Sequence, residues 1–286
     1  MQIFGKEIRE ITICENEYPY ELRALEDAPE TVYAVGDISL LEGKKFAVVG
    51  SRRTPVNALR LGTEIVKELS KHFVVVTGTA DGGDTAAIEG ALKGGGRIVC
   101  VLAGGFSAIP QSNLPLMEEV AKRGLLLSAC AYETGVRAFS YEYRNKLIAC
   151  LTEGTLVLGA GEKSGALITA KHAKAMGKKR FALPYPPNSA SGVGCNAVIK
   201  QGGYLVECAK DVLDVFGIES QEKTVAVALS ADEERLLGVL KELCEGHITE
   251  LSQKSGIPSF KARALLSALE IKGLVASVGG NRYSVV

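Results

Sequence analysis

Short apolar runs rich in β-branched residues alternate along this chain with stretches of helical periodicity. The runs are Phe46–Val49, Phe73–Thr77, Arg97–Leu102, Leu125–Ser128, Thr155–Leu158, Arg180–Leu183 and Tyr204–Val206. Runs without polar alternation predict strands buried on both faces, and the stretches between them predict helices covering a mainly parallel sheet. After the first run, Ala58, Leu61, Ile65 and Leu69 recur at helical spacing, with Glu64, Lys67 and Glu68 on the other side. Thr85–Leu92, Asn113–Arg123, Arg144–Leu151, Ala166–Met176 and Ala209–Phe216 are expected as further helices.

The style changes after a polar interval, Gly217 to Ser230, which reads as a linker. Asp232–Cys244 carries an apolar stripe of Leu236, Leu237 and Leu240, and Ile248–Ser255 is a short helix ending at Gly256. Ser259–Lys272 is expected to turn Ala264, Leu265, Ala268 and Leu269 inward. Leu274–Val278 and Arg282–Val286 flank Gly279-Gly280-Asn281 as a β-hairpin. Three helices closed by a hairpin is a winged helix-turn-helix plan. The expected organisation is therefore α/β, an extended Rossmann-like sheet with a C-terminal winged helix. Residues 1–45 would form an extension packed on a Rossmann-like domain of residues 46–217, residues 218–230 a linker, and residues 231–286 the winged helix.

Composition narrows the setting. The 286 residues allow one domain of about 200 residues and a smaller one. No window approaches the roughly 18 uninterrupted apolar residues that span a bilayer, and Met1–Glu10 lacks a signal-peptide core. The seven cysteines (Cys14, Cys100, Cys130, Cys150, Cys195, Cys208, Cys244) form no Cys-x-x-Cys pair. That argues against a disulfide framework and a zinc site, and for a reducing cytosol. Lys and Arg number 33 against 33 Asp and Glu, so a polyanion would need locally concentrated cations. Lys163, Lys171, Lys174, Lys178, Lys179 and Arg180 fall in one acid-free stretch; a solvated helix face explains them equally well.

Chemistry is expected where strands end in glycine and helices begin. At Gly50-Ser51-Arg52 a glycine turn can aim backbone amides at an anion, and Arg52 can bind phosphate with two parallel hydrogen bonds. The dinucleotide fingerprint Gly-x-Gly-x-x-Gly fails here, as does the P-loop pattern. The next loop contains Gly78, Gly82 and Gly83, with Asp84 expected to cap the following helix. The loop Arg137–Lys146 mixes Arg137, Arg144 and Lys146 with Phe139, Tyr141 and Tyr143, which suits bases and phosphates of a single strand, or else Phe139 and Tyr143 are core residues and the cations are solvated. Ser164 and Gly165 open another helix, with Lys171 and Lys174 on one face. His72, His172 and His247 accompany no recognisable nucleophile or metal cluster. No catalytic residue, metal or cofactor is therefore expected.

Taken in order, several blocks resemble the DNA-processing protein A family (DprA, also called Smf). They are Val32–Asp37, Val48–Arg52, Gly82–Ala87, Tyr143–Lys146, Ser164–Ala170 and Gly194–Ile199. The resemblance implies sequence-independent binding of single-stranded DNA, a homodimer, and delivery of the strand to the RecA recombinase during natural transformation. It implies no enzymatic step. Carried onto matching positions, the binding set is Gly50, Ser51, Arg52, Arg137, Phe139, Arg144, Asn145, Lys146, Ser164, Gly165, Thr169, Lys171 and Lys174. Gly83, Ile88, Asp81 and the Tyr141-Glu142-Tyr143 segment depart from the family pattern and bear on affinity. The helical N-terminal domain of longer members is not expected, since only about 45 residues precede the first strand.

Two rival readings exist. One is a nucleotide-binding hydrolase of the lysine-decarboxylase-like Rossmann group, whose Pro-Gly-Gly-x-Gly-Thr-x-x-Glu motif is not found. The other is a winged-helix regulator of duplex DNA, contacting phosphates through Lys261 and Arg263. Its recognition helix also carries Glu270, and its hairpin has only Arg282 as a cation.

Overall fold

Backbone pairing extends the sheet beyond the apolar runs in both directions. The computed structural model describes residues 1–219 and 229–285, which fall into two units, Met1–Ser220 and Gln221–Val286. In the first, a short hairpin of β1 (Gln2–Ile3) and β2 (Lys6–Glu7) precedes β3 (Arg9–Thr12), β4 (Thr31–Gly36) and β5 (Lys45–Val49). Then come α1 (Val56–Leu69), β6 (Val74–Thr77), α2 (Gly83–Gly94), β7 (Ile98–Val101), α3 (Leu114–Arg123) and β8 (Leu125–Ser128). The unit continues through α4 (Ala138–Leu151), β9 (Gly154–Val157), α5 (Ala166–Ala175) and β10 (Lys179–Ala182). It closes with α6 (Val193–Lys200), β11 (Tyr204–Leu205) and α7 (Ala209–Val215).

The sheet has nine strands in the order β11-β10-β9-β5-β6-β7-β8-β4-β3. From β5 to β11 every pairing is parallel, and β4 runs antiparallel to both β8 and β3. The unit is therefore α/β with a mainly parallel sheet. From β5 the chain moves outward to β8, returns through α4 to lay β9 beside β5, and then moves outward the other way. The order reverses between β5 and β9. At such a reversal the flanking loops diverge above and below the sheet, leaving a crevice beyond the carboxyl ends of the strands.

Side chains from the two faces build two cores. One holds Phe46, Phe73 and Phe181, with Phe216 edge-on to the first two and stacked on the third at ring-centroid distances of 5.3 to 6.0 Å. The other packs Val49, Val76 and Val101 of the sheet with Ile148 and Leu151 of α4 and Ala166 and Ala170 of α5. Rigid, closely packed faces of this kind fix the strand ends, and hence the loops, relative to one another.

Several expectations need correction. Residues 1–45 do not merely lean on the sheet, because β3 and β4 lie within it and Lys45 already belongs to β5. β4 escaped notice because its faces differ, Val32, Ala34 and Val35 being buried while Thr31 and Tyr33 are half-exposed. Helix α4 starts six residues before Arg144, so the aromatic and cationic segment is its opening turns rather than a loop. α6 was also missed, its Gly194 masking a helix that buries Cys195 and Val198. Leu61 is 41% exposed, since Gly62 and Val66 occupy the inward positions of α1 instead.

The second unit comprises α8 (Ala231–Leu243), β12 (Glu245–His247), α9 (Ile248–Ser255), α10 (Ser259–Ile271), β13 (Val275–Gly279) and β14 (Arg282–Val285). Its strands form an antiparallel sheet in the order β12-β14-β13. Leu236, Leu237 and Leu240 are buried as expected. On α10, however, Ala262, Leu266 and Leu269 face inward and Ala264 is exposed. The helix is rotated by part of a turn, because Pro258 starts it and Leu266 fills the centre of the core. Most of the expected linker, from residue 220 to 228, lies outside the described residues.

Candidate nucleic-acid interface

Gly50 leaves the end of β5 at the point where the strand order reverses. A Cβ placed on Gly50 would lie 2.8 Å from the Cα of Gly83, and one on Gly83 would lie 2.2 Å from the Cα of Gly50. Loop and helix α2 therefore meet backbone to backbone. Gly82, with φ of +83°, takes the N-cap position, and a Cβ there would strike the Ser51 carbonyl at 2.5 Å. This corrects the role expected of Asp84. It sits inside the first turn of α2, and its carboxylate caps other loops.

Asp84 Oδ1 accepts from the Gly50 amide at 3.4 Å and Oδ2 from the Ala80 amide at 3.2 Å. Oδ2 also accepts from Arg144 Nη1 at 3.4 Å, forming an ion pair whose members are both buried. Gly78 makes room for that pair, since a Cβ there would fall 1.2 Å from Arg144 Nη1 and 2.4 Å from Asp84 Oδ2. Burial raises the pKa of Asp84, while Arg144 and the two amides oppose that shift. Arg144 Nε and Thr169 Oγ1 are enclosed without a hydrogen-bond partner among the described residues.

Above this floor opens a cleft of about 330 Å³, lined among others by Gly50, Ser51, Arg52, Arg144, Asn145, Ser164, Gly165 and Thr169. Eight of the sequence-derived positions thus come together from β5, α4 and the start of α5. The cleft also takes in Arg53 and Tyr141, neither of which belongs to the expected binding set. Their signal was position alone: Arg53 adjoins Arg52, and Tyr141 lies one helical turn before Arg144 and Asn145. Arg52 and Arg53 are exposed.

Two further clefts adjoin it. One of about 430 Å³ shares Ser51, Arg53 and Ser164 and adds Lys163, Gly161, Ala190 and Ser191. The other, of about 230 Å³, shares Arg52, Ala80 and Tyr141 and reaches Leu102, Ile109, Asn113 and Val136. The three follow the carboxyl edge of the sheet from β9 across β5 and β6 to β7. Arg53 and Lys163 line one end of the track, and Arg52 and Asp81 line the other beside Leu102, Ile109 and Val136.

Other expected residues stand apart from it. Phe139 is 65% exposed near the start of α4, and Arg137, also exposed, is the N-cap residue, its amide bonded to Ser140 Oγ at 3.1 Å. Tyr143 is half-buried and donates to the Asp27 carbonyl at 2.7 Å. Burial, reinforced by Asp27, pushes its phenol up to about 12. Lys146 is committed to Asp27 at 2.6 Å, and that hydrogen bond lowers the pKa of the Asp27 carboxyl. Asn145 lines the cleft but donates to the Gly165 carbonyl at 3.2 Å, tying α4 to the loop before α5. Lys171 and Lys174 are exposed on α5, the latter 3.4 Å from Gln201 Oε1.

The acid-free stretch divides in two. Lys178 donates to the Ala149 carbonyl at 3.0 Å and to that of Cys150, Lys179 to Val215 at 2.7 Å, and Arg180 to Gln201 at 2.8 Å. Three of its six cations therefore satisfy carbonyls at the ends of α4, α7 and α6, where cations also complement the helix dipole. Lys163 alone of the six lines a cleft of the track.

A family model described as DNA recombination-mediator protein A matches residues 9–217, which contain the whole track. The chain belongs to that family. The DNA processing protein DprA of Bacillus subtilis is 35% identical over 210 residues, covering 72% of this chain and 71% of its own. The crystal structure of DNA processing protein A from Streptococcus pneumoniae superposes with a TM-score of 0.70 at 32% identity, over 73% of this chain and 74% of its own. DNA processing protein A from Helicobacter pylori, whose structure is described in terms of a unique single-stranded DNA binding mode, gives a TM-score of 0.67 at 26% identity. It is matched over 98% of its length and 75% of this chain. Among the described residues no helix is long and apolar enough to cross a membrane.

Proposed function

We propose that the protein is a cytosolic recombination mediator that binds single-stranded DNA along the three-cleft track, protects it and loads RecA during natural transformation. The observation that carries this reading is the continuity of the clefts. Adjoining clefts run along the strand ends, and Arg52, Arg53 and Lys163 line them beside Tyr141, Val136 and Ile109. Cations suited to phosphates beside aromatic and apolar surface suited to bases are the components of a single-strand groove. The single-stranded DNA binding mode described for the Helicobacter pylori relative supports the same polymer.

In this reading Arg52 and Arg53 engage backbone phosphates, Gly50 and Ser51 let the strand approach the main chain, and the exposed Phe139 stacks on a base. The protein acts as a homodimer and without turnover. The second unit serves as a winged-helix accessory module rather than a duplex reader, because Lys261 is paired with Asp232 and Phe260 and Ile271 are exposed on α10.

Fluorescence anisotropy with single- and double-stranded oligonucleotides tests the proposal. The expected result is preference for the single strand and a loss of about tenfold on Arg52→Ala, the equivalent of one charge-assisted phosphate contact. Equal binding of duplex, or unchanged affinity in Arg52→Ala, would contradict it. Release of a base or sugar from nucleoside monophosphates would move the protein to the hydrolase class.

A further inference from the structure

Arg144 on α4 and Asp84 in the first turn of α2 form a buried ion pair beside the central cleft. Their geometry says more. A guanidinium this enclosed needs a counter-charge, and among the described residues Asp84 is the carboxylate that forms an ion pair with it. Asp84 is itself held from behind by two backbone amides, those of Gly50 and Ala80, which are fixed by the ends of β5 and β6. A carboxylate anchored to main chain on two sides cannot follow a mobile arginine. The arginine must settle where the carboxylate is. Gly78 supplies the space, because any side chain there would occupy the position of Nη1.

Among the described residues the carboxylate engages only Nη1, and Nε has no acceptor. A guanidinium offers five N–H groups in a rigid fork, so one edge can be held while another serves a second anion. A lysine has three donors on one compact ammonium at the end of a flexible stem, so it cannot hold one anion by one edge and present a second, separate edge at fixed spacing to another.

We propose that Asp84 is a positioning residue for DNA binding: it holds Arg144 by one edge so that the remaining N–H groups meet a phosphate of the strand in the central cleft. This rests on the single-strand reading given above. It gives the buried acid a task beyond closing the loop, and it makes Arg144 a specific requirement for arginine rather than for positive charge.

A double-mutant cycle in the full chain separates this role from a purely structural one. Single-strand affinity is measured by anisotropy for the parent, Asp84→Asn, Arg144→Ala, the double variant and Arg144→Lys, with thermal unfolding recorded for each. Asp84→Asn should weaken binding about tenfold, and Arg144→Lys should lose as much as Arg144→Ala. The double variant should bind no worse than Arg144→Ala alone, since Asp84 has nothing left to hold. Losses that multiply in the double variant, unchanged binding in Asp84→Asn, or full retention in Arg144→Lys would each overturn the assignment.

Should Asp84→Asn fail to fold, Asp84→Glu replaces it in the cycle under the same criteria, keeping the charge but displacing it by one methylene. Arg52→Ala, measured alongside, distinguishes the two levels of failure. If it weakens binding while Asp84→Asn does not, only the positioning role falls. If the parent shows no preference for single strands, the reading of the site falls with it.

Discussion

At the scale of single residues, the site is defined as much by missing side chains as by charged ones. Gly78→Ala would drive a methyl into the Asp84–Arg144 pair and leave two buried charges without compensation. Breaking a buried pair in this way costs about 3–5 kcal/mol, so a matching fall in denaturant-derived stability is expected. The turn at Gly50-Ser51-Arg52 was legible in the sequence because a glycine between an apolar run and a helix is a local signal. The partnership of Asp84 with Arg144 was not, because 60 residues separate them and only the folded sheet brings them together. Lys178, Lys179 and Arg180 illustrate the reverse problem: as letters they are three cations available to a polyanion, yet in the fold their charges are turned onto carbonyls.

At the scale of elements, buried strands and their order of appearance could be read directly, since parallel strands covered on both faces leave continuous apolar runs. What could not be read was pairing. Nothing local announces that Thr31–Gly36 inserts between β8 and β3, or that the opening turns of α4 lie along the cleft. Helix α8 supports a separate prediction. Ser230 and Glu233 form its capping box, and Glu233 also accepts from Lys272 at 2.7 Å. The Lys272 hydrogen bond, followed by that from the Ser230 amide, lowers the Glu233 carboxyl from its ordinary 4.5 to about 2. A depressed carboxylate stabilises the folded state fully above its unfolded value, and that contribution is lost as pH falls from about 4.5 towards 2. Thermal unfolding of the second unit should therefore be less sensitive to acid in Glu233→Gln than in the parent over that window. Equal slopes for the two proteins would remove Glu233 from the account.

At the scale of the whole molecule, zero net charge is compatible with the proposed polyanionic ligand because Arg52, Arg53 and Lys163 line clefts at one edge of one sheet. Engagement of about four phosphates by this edge would give a slope near −3 in log affinity against log salt for single strands. A steeper slope would mean that charges outside the track take part. Removal of the second unit should leave that slope unchanged, because every residue of the track belongs to the first.

The contact between Gly50 and Gly83 also limits how the protein can diverge. Among the packed rings of Phe46, Phe73, Phe181 and Phe216, one residue can shrink while a neighbour grows, and total volume is conserved. Between two glycines there is no side chain to give up in exchange. A change at either cannot be rescued by a change at the other, so the core is free to drift while this backbone contact can be kept or lost but not renegotiated.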